Sequence, residues 1–331
     1  MFPAQARPHH LHAQVGDLEC RFEPPGYFVA LSHPAIVRCG LRSLVDAIAA
    51  GGTLETALPS LASLRRIAQG GQAEIFEWEE NRVLRLLRQP GPLDVLEREL
   101  AAMEAARSVG ANVPQVFGTV TIEDRPGIIL ERLDGPDLLT LIGQRPWTVW
   151  ASGRVTGELH AAVNRTPAPV ILPDAREAAR VGLQHLRPHD PAAIDRVLAI
   201  LETLPGGDAL CHGDFHPGQI MMSAGRPVII DWPSAMRGDP LADYAWTRVI
   251  LSMGQPPPGT SMPLKLLAKV GRRLLVGAYT RAYEAHSPPI DRDRLARWEI
   301  VTIALRILDD IPGERETLVR ELRKRLAAGN G

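Results

Sequence analysis

The feature that most constrains the fold of this chain is a pair of closely spaced motifs. The sequence reads H-G-D-F-H-P-G-Q over residues 212–219 and I-I-D-W over residues 229–232. Two β-compatible runs, 219–222 and 227–230, flank a polar turn that contains a glycine, and this pattern predicts a short β-hairpin. Much of the surrounding sequence is predicted to be helical, so the hairpin is a local exception within a mainly helical region.

Asp214, Gln219 and Asp231 carry the oxygen atoms that phosphoryl transfer needs. One carboxylate must orient the attacking hydroxyl group and accept its proton, and other groups must hold Mg²⁺ across the phosphates. Mg²⁺ prefers hard oxygen ligands, which the amide and the second carboxylate can supply. We therefore interpret Asp214 as the catalytic base, and Gln219 and Asp231 as the metal ligands.

The two motifs resemble those of the aminoglycoside phosphotransferase and choline kinase group. The resemblance continues through R-G-D-P-L-A-D over residues 237–243, a segment expected to be structural, and it covers roughly residues 65 to 310. It implies an α+β, bilobal protein-kinase-like fold with a small antiparallel-sheet N-lobe and a mainly helical C-lobe. The implied domains are a flexible leader with a small N-terminal extension of unknown role (1–64), a nucleotide-binding N-lobe (65–131), and a helical C-lobe with the catalytic loop and the acceptor pocket (132–331).

The pattern over residues 65–131 predicts strand, glycine turn, strand, strand, helix, strand and strand, with the helix over residues 93–109. Gly70, Gly71 and Gln72 lie between the first two predicted strands. Backbone N–H groups there could approach the phosphates of ATP, because glycine lacks a Cβ atom. An ordinary hairpin turn explains the same two glycines.

By resemblance, Arg85 occupies the position where kinases place the lysine that contacts the α- and β-phosphates. Residues 65–131 contain no lysine, so Arg85 is the best candidate cation. Arginine keeps the positive charge but is bulkier and planar, so the exchange is not neutral. The alternative is an exposed strand arginine without a role in binding.

Three further residues are implied by the resemblance as part of a nucleotide site. Glu99 on the predicted helix is expected to pair with the cation, and it matches the family pattern better than Glu97. The backbone groups of Glu131 and Leu133, in the expected interlobe hinge, would hydrogen-bond the edge of the adenine base.

The chain departs from the family at Gln219, where the family usually has asparagine. The amide oxygen is retained, but the side chain is one methylene longer and must fold back to reach a metal ion. Of the histidines beside Asp214, His212 is expected to be a scaffold residue, and His216 is a candidate for the lining of the acceptor pocket. Two carboxylates and an amide favour Mg²⁺ over a transition metal.

Composition excludes several other classes of protein. The formal net charge is −1, so no global field favours nucleic acid or an anionic membrane. No run approaches the roughly 18 apolar residues of a membrane span. Three cysteines without C-x-x-C spacing, and a beginning that lacks a signal-peptide pattern, favour the cytoplasm. We expect no nucleic-acid or membrane partner, and the sequence leaves the oligomeric state open.

The sequence therefore predicts an ATP- and Mg²⁺-dependent phosphotransferase that acts on a hydroxyl group of a small molecule, either an aminoglycoside-like antibiotic or a metabolite, with GTP as an alternative donor. A catalytically silent, kinase-like nucleotide-binding module is the second reading, motivated by the substitutions at Arg85 and Gln219. A protein kinase is disfavoured, because D-W-P over residues 231–233 replaces D-F-G and no A-P-E follows.

Overall fold

The computed structural model describes residues 13–15, 18–20, 59–253, 262–309 and 313–328. Most of the predicted extension over residues 1–64 therefore lies outside the described residues. The chain forms two compact units. The first contains Met1–Glu97 and Pro114–Arg132, and the second contains Arg98–Val113 and Leu133–Gly331. The predicted domain boundaries at residues 64 and 131 remain a prediction.

The first unit is built on a five-stranded antiparallel sheet with the strand order β3-β4-β5-β7-β6. A short antiparallel pair, β1 (Ala13–Val15) and β2 (Leu18–Cys20), precedes it in the chain. The strands of the main sheet are β3 (Arg66–Gln69), β4 (Ala73–Glu77), β5 (Arg82–Leu87), β6 (Val116–Ile122) and β7 (Arg125–Glu131).

One face of this sheet carries the core of the first unit. Leu84 and Leu86 on β5 are fully buried and cluster with Phe76 on β4 and Val120 on β6. Because side chains alternate along a strand, Arg85 projects to the opposite face of the sheet. The alternation therefore separates the apolar packing face from the face that bears the candidate cation.

The second unit is mainly helical. A 3-10 turn, Leu93–Leu96, leads into the first helix, whose first residue, Glu97, belongs to the first unit. The described helices are α1 (Glu97–Ser108), α2 (Leu138–Gln144), α3 (Val149–Asn164), α4 (Ala175–Leu186), α5 (Pro191–Glu202), α6 (Pro240–Met253), α7 (Met262–Ala285), α8 (Arg292–Arg306) and α9 (Arg315–Ala328). Asp174, Asp190 and Asp291 cap α4, α5 and α8, each accepting a hydrogen bond from a backbone N–H in the first turn.

Close helix packing brings α3 against α7. Gly153 and Gly157 lie one turn apart on α3, where an added Cβ atom would overlap backbone atoms of Leu275 and Tyr279, respectively. Only glycine allows the two backbones to approach this closely. The arrangement places His160, one turn further along α3, beside the aromatic side chains of α7.

Two small antiparallel pairs interrupt the helices. Strand β8 (Ala209–Cys211) pairs with β11 (Met236–Gly238), and β9 (Ile220–Ser223) pairs with β10 (Arg226–Ile229). The predicted hairpin is thus present, and in the sequence it lies between β8 and β11. No helix within the described parts of the chain is long and apolar enough to cross a membrane.

Candidate active site

Asp214, Gln219 and Asp231 converge in the second unit. Asp214 lies in the loop after β8, Gln219 ends the 3-10 turn Pro217–Gln219, and Asp231 follows β10. The Gln219 Nε2 atom donates to Asp214 Oδ2 at 3.1 Å and to Asp231 Oδ2 at 3.2 Å. The hairpin folds the chain back, so the carboxylates that precede and follow it face the same amide group.

The three side chains differ in their exposure. The Asp214 side chain is 37% exposed and Asp231 is exposed, whereas Gln219 is buried. Asp231 has a φ of 65°, in the left-handed region that few residues other than glycine adopt. Such conformations persist where the surrounding structure enforces them, and they concentrate at functional sites.

His212 supports the catalytic loop from the inside of the unit. It is fully buried, its Nε2 atom lies 3.0 Å from the Ile230 carbonyl oxygen, and its Nδ1 atom accepts from the Asp214 N–H at 3.3 Å. These partners fix the tautomer that carries the proton on Nε2. Burial lowers the pKa of His212 and outweighs the nearby carboxylates, so the ring is a neutral scaffold.

His216 lies on the other side of the catalytic carboxylate. Its Nδ1 atom accepts from the Gly218 N–H at 3.0 Å, which leaves the proton on Nε2. That nitrogen is 3.7 Å from Asp214 Oδ2, beyond the usual length of a hydrogen bond. Burial raises the pKa of Asp214, but His216 and the Gln219 amide together lower it below its ordinary value, so the carboxylate is ionised at neutral pH.

Asp243 holds the backbone of the catalytic loop. Its Oδ2 atom accepts from the His212 backbone N–H at 2.7 Å, and its Oδ1 atom accepts from the Gly213 N–H at 2.9 Å. His160 Nε2 and Asn164 Nδ2 also lie 2.9 Å from Oδ2. Burial alone would raise the pKa of this fully buried carboxyl, but the charge and hydrogen bond of His160 and the hydrogen bond of Asn164 lower it far below its ordinary value.

A buried polar network extends behind Asp243. The Tyr279 hydroxyl bonds to His160 Nδ1 at 2.8 Å, and the Tyr283 hydroxyl donates to Asn164 Oδ1 at 2.8 Å. The Phe215 ring stacks on His160 with 4.4 Å between the ring centroids. This network agrees with the structural role expected for residues 237–243. The contribution of Asn164 was not recognised from the sequence.

Gly213 is required by the path of the loop. Its φ is 80°, and an added Cβ atom would overlap the Ser234 carbonyl oxygen. Only glycine satisfies both the left-handed conformation and the close approach. The residue just before Asp214 therefore has no freedom to vary, which fixes the direction in which the carboxylate emerges.

The glycine turn of the first unit lies between β3 and β4. Gly70, Gly71 and Gln72 are exposed, and the Gly70 N–H donates to the Ala73 carbonyl oxygen at 2.8 Å. Neither glycine adopts a positive φ, so the conformation itself does not demand glycine. The absent side chains leave the backbone of this turn accessible, which is what close approach to a phosphate requires.

Arg85 and Glu99 are both buried, with exposures of 7% and 5%. The exposure expected in the alternative reading of residue 85 is therefore wrong, while a role of Arg85 in binding remains a prediction. Glu97 is exposed, so of the two candidate glutamates only Glu99 is buried. Arg85 and Glu99 belong to different compact units, and their pairing remains a prediction.

The expected hinge residues lie at the end of β7, of which Glu131 is the last residue, and just beyond it. The Glu131 N–H donates to the Gln115 carbonyl oxygen at 2.8 Å, and the Glu131 carboxylate accepts from the Gln115 N–H at 3.2 Å. While these bonds hold, the Glu131 N–H is committed within the first unit. Leu133 is partly exposed just beyond the strand. The adenine contacts of both residues remain predictions.

The donor set at the converging residues suits a hard cation. Two carboxylates and an amide supply oxygen atoms of the kind Mg²⁺ prefers, and Mg²⁺ usually takes its other ligands from phosphates and water. Within the described residues, no group of three or more His, Cys, Asp or Glu side chains forms a complete metal cage. The oxygen atoms of Gln219 and Asp231, beside the Asp214 carboxylate, therefore fit a metal ion that arrives with a phosphate-bearing ligand.

The chain belongs to the phosphotransferase enzyme family, because the model named APH, phosphotransferase enzyme family, matches residues 63–298. No curated protein sequence matches the chain. The family match confirms the predicted resemblance. It also confirms the prediction that the protein is an enzyme, a small-molecule kinase.

Solved structures with related folds agree with this assignment. An amicoumacin kinase, hAmiN, in complex with AMP-PNP, Ca²⁺ and Ami has a TM-score of 0.57 and 13% identity, covering 87% of this chain and 95% of that chain. A choline/ethanolamine kinase family protein from Mesorhizobium loti has a TM-score of 0.53 and 17% identity, covering 86% and 98%. A thermostable mutant of aminoglycoside phosphotransferase APH(4)-Ia with AMP-PNP and hygromycin B has a TM-score of 0.52 and 16% identity, covering 82% and 94%. At these identities the likeness shows the fold, and the predicted α+β protein-kinase-like class is confirmed.

Proposed function

We propose that the protein transfers the γ-phosphoryl group of Mg-ATP to a hydroxyl group of a small molecule. The observation that carries this proposal is the convergence of Asp214, Gln219 and Asp231, in which one amide contacts both carboxylates. Phosphoryl transfer depends on positioning and on charge stabilisation more than on covalent chemistry, so this small set of groups is sufficient.

Each of the three residues has a distinct role in the proposed reaction. Asp214 orients the acceptor hydroxyl group and accepts its proton, with His216 Nε2 nearby to stabilise the ionised carboxylate. Asp231 and Gln219 would hold the metal ion, the amide turning to present its oxygen atom instead of its nitrogen. Bound Mg²⁺ would neutralise charge on the β- and γ-phosphates. His212 and Asp243 keep the loop in place and do not touch the reacting atoms.

The nucleotide site would be completed by residues of the first unit and by its flanking segments. The proposed set is Gly70, Gly71, Gln72, Arg85, Glu99, Glu131 and Leu133. Support for a nucleotide with a divalent cation comes from the amicoumacin kinase complex, which contains AMP-PNP and Ca²⁺. ATP is the proposed donor and GTP the alternative, so both need to be tested.

The acceptor is proposed to be a small molecule, because the related structures were solved with Ami or with hygromycin B. Neither nucleic acid nor a membrane is an expected partner. Dependence on ATP would place the enzyme in the cytoplasm, which cell fractionation can check.

Two variants separate catalysis from nucleotide binding. Asp214→Ala should lower kcat by about 10²- to 10⁴-fold, the range typical of a lost general base, while Mg-ATP still raises the melting temperature. Asp231→Ala should lose the Mg²⁺-dependent part of that shift. Asp195→Ala, at an exposed ion pair with Arg187, is the matched control and should change neither.

The same measurements test the alternative of a silent module. Thermal stabilisation by Mg-ATP without turnover on aminoglycosides, macrolides, amino alcohols or sugars would favour a binding module. Full turnover by Asp214→Ala on a phosphorylated acceptor would contradict the proposed base.

A further inference from the structure

A cavity of about 270 Å³ lies beside the catalytic loop within the second unit. Gly213, the neighbour of Asp214, and Asp243 are among the residues that line it. Other lining residues belong to α8 and to the 3-10 turn Ile307–Asp309 that follows it. The cavity therefore adjoins the residue proposed to activate the acceptor hydroxyl group.

The walls of the cavity are mainly apolar. Trp246 on α6 and Trp298 on α8 present indole rings, and Leu308 adds an aliphatic side chain that is 42% exposed. The Trp298 Nε1 atom donates to Asp239 Oδ2 at 2.7 Å, which fixes that ring in place. Rigid aromatic walls favour an apolar body in the ligand, since most recognition energy in such pockets comes from buried apolar area.

Helix α4 leaves the cavity open by presenting small residues on one face. Ala175, Ala178, Ala179 and Gly182 recur at spacings of three and four residues, so they line the same side of the helix. Larger side chains at these positions would fill the space between α4 and α8. The exposed Ala178 is the position at which an added side chain would disturb the core least.

The charges at the cavity are already compensated. Two acidic residues, Asp243 and Asp309, are among those that line it. Both oxygens of Asp243 accept hydrogen bonds from described donors, and Asp309 Oδ2 lies 2.9 Å from Arg306 Nη1. Burial raises the pKa of Asp309, the Arg306 charge opposes that rise, and the nearby Asp214 adds to it. A ligand with several ammonium groups would find too few carboxylates here to replace their hydration.

We propose that the acceptor is a compact hydroxyl compound with an apolar body and at most one positive charge, which this cavity holds against the catalytic loop. The inference rests on the phosphotransferase function proposed above. The size of the cavity limits the acceptor as well, because ligand pockets usually span about 300–1,000 Å³ and this cavity lies just below that range. One positive charge can be accommodated over an indole face or beside Asp309.

The test uses phenylpropanol as a neutral probe, phenylalaninol as a singly charged probe and kanamycin as a polycation. Binding is followed by tryptophan fluorescence, and transfer by ADP release with Mg-ATP. We expect both phenyl alcohols to bind and to accept phosphate, with kanamycin the poorest of the three. Ala178→Phe should weaken binding of both alcohols by at least about tenfold, the loss expected when an apolar pocket is obstructed.

Two further variants make the test independent of one substitution. Ala296→Phe adds the same side chain at an exposed position of α8 that does not line the cavity, and it should change binding less than about twofold. Leu308→Asp places a charge at the exposed wall and should weaken the neutral probe even if Ala178→Phe does not fold.

The outcomes distinguish this inference from the underlying function. Phosphorylation of kanamycin in preference to both alcohols, or unchanged binding of the alcohols to Ala178→Phe and Leu308→Asp, would overturn the proposed acceptor class while leaving the kinase function standing. Loss of Mg-ATP stabilisation in the unaltered protein would instead contradict the function itself.

Discussion

Replacing Asp243 with alanine should destabilise the second unit strongly, because four described donors would lose their acceptor. These are the backbone N–H groups of His212 and Gly213 and the side chains of His160 and Asn164. Each buried polar group left unsatisfied costs about 1–3 kcal/mol. The four costs are not additive, and removal of one partner from a buried charged group typically costs about 3–5 kcal/mol. We expect a loss of about 4 kcal/mol, a large part of the roughly 5–15 kcal/mol of a native domain.

Urea unfolding at neutral pH, followed by tryptophan fluorescence, measures this loss. The control is Asp195→Ala, which removes an exposed ion pair with Arg187 and should cost less than about 1 kcal/mol. A loss for Asp243→Ala no greater than that of the control would refute the anchoring role given to Asp243.

The pH dependence provides an independent check on the same carboxyl. The pKa of Asp243 is held far below the ordinary value of 3.8, chiefly by His160 and Asn164 acting against burial. The stabilisation by its ionised form is therefore fully present above that value, and it is lost as the pH falls from there through the folded-state pKa. Asp243→Asn lacks this dependence, so the stability gap between the two proteins should narrow on acidification below that value. A difference in unfolding free energy between the two proteins that does not change with pH would contradict the lowered pKa of Asp243.

Three further changes test the loop and the ligand-facing residues. Gly213→Ala should lower kcat by at least about 100-fold, because the added Cβ atom would displace the backbone before Asp214. An unchanged kcat would contradict the requirement for glycine at this position. Arg85→Ala should raise the KM for ATP by about tenfold, as expected for a lost charged hydrogen bond. Arg85→Lys should raise the KM less than Arg85→Ala does. Equal KM values for all three proteins would exclude a phosphate contact. Gln219→Asn should retain Mg²⁺-dependent transfer whereas Gln219→Leu should lose it, as magnesium titrations of activity can show; full activity of the leucine variant would remove Gln219 from the metal site.

The existence of the β-hairpins was predictable from the sequence, but the length of their turns was not. The predicted turn over residues 223–226 shortens to two residues in the structure, because the two four-residue strands each lie one residue closer to it, and two residues also join β6 to β7. Glu123 and Asp124 both have positive φ angles, as do Ala224 and Gly225. Two consecutive left-handed residues make a tight turn whose twist matches that of paired strands. Glu123 and Asp124 are not the asparagine or glycine that usually occupy such a turn. The local sequence therefore predicted only a polar segment between two strands.

The chemistry at residues 214–231 was predictable because its parts are near one another in the sequence. The anchoring by Asp243 was not, because its partners lie far away along the chain. His212 precedes it by 31 residues, Asn164 by 79 and His160 by 83. The segment 237–243 identified a structural element without indicating what it held in place. Such contacts depend on the packing of α3, α6 and β8, which no local pattern specifies.

The carboxylates of the site divide into two groups by exposure, and the division matches their proposed roles. Asp243 is fully buried, and its oxygens are saturated by donors, so it can hold the loop but cannot exchange partners for a ligand. Asp214 and Asp231 remain accessible, and the amide of Gln219 lies between them. Because like charges that lie close together repel each other, a cation bound between these two carboxylates would relieve their repulsion. The buried carboxylate thus holds the loop, and the two accessible ones are left for the proposed contacts with the acceptor hydroxyl group and the metal ion.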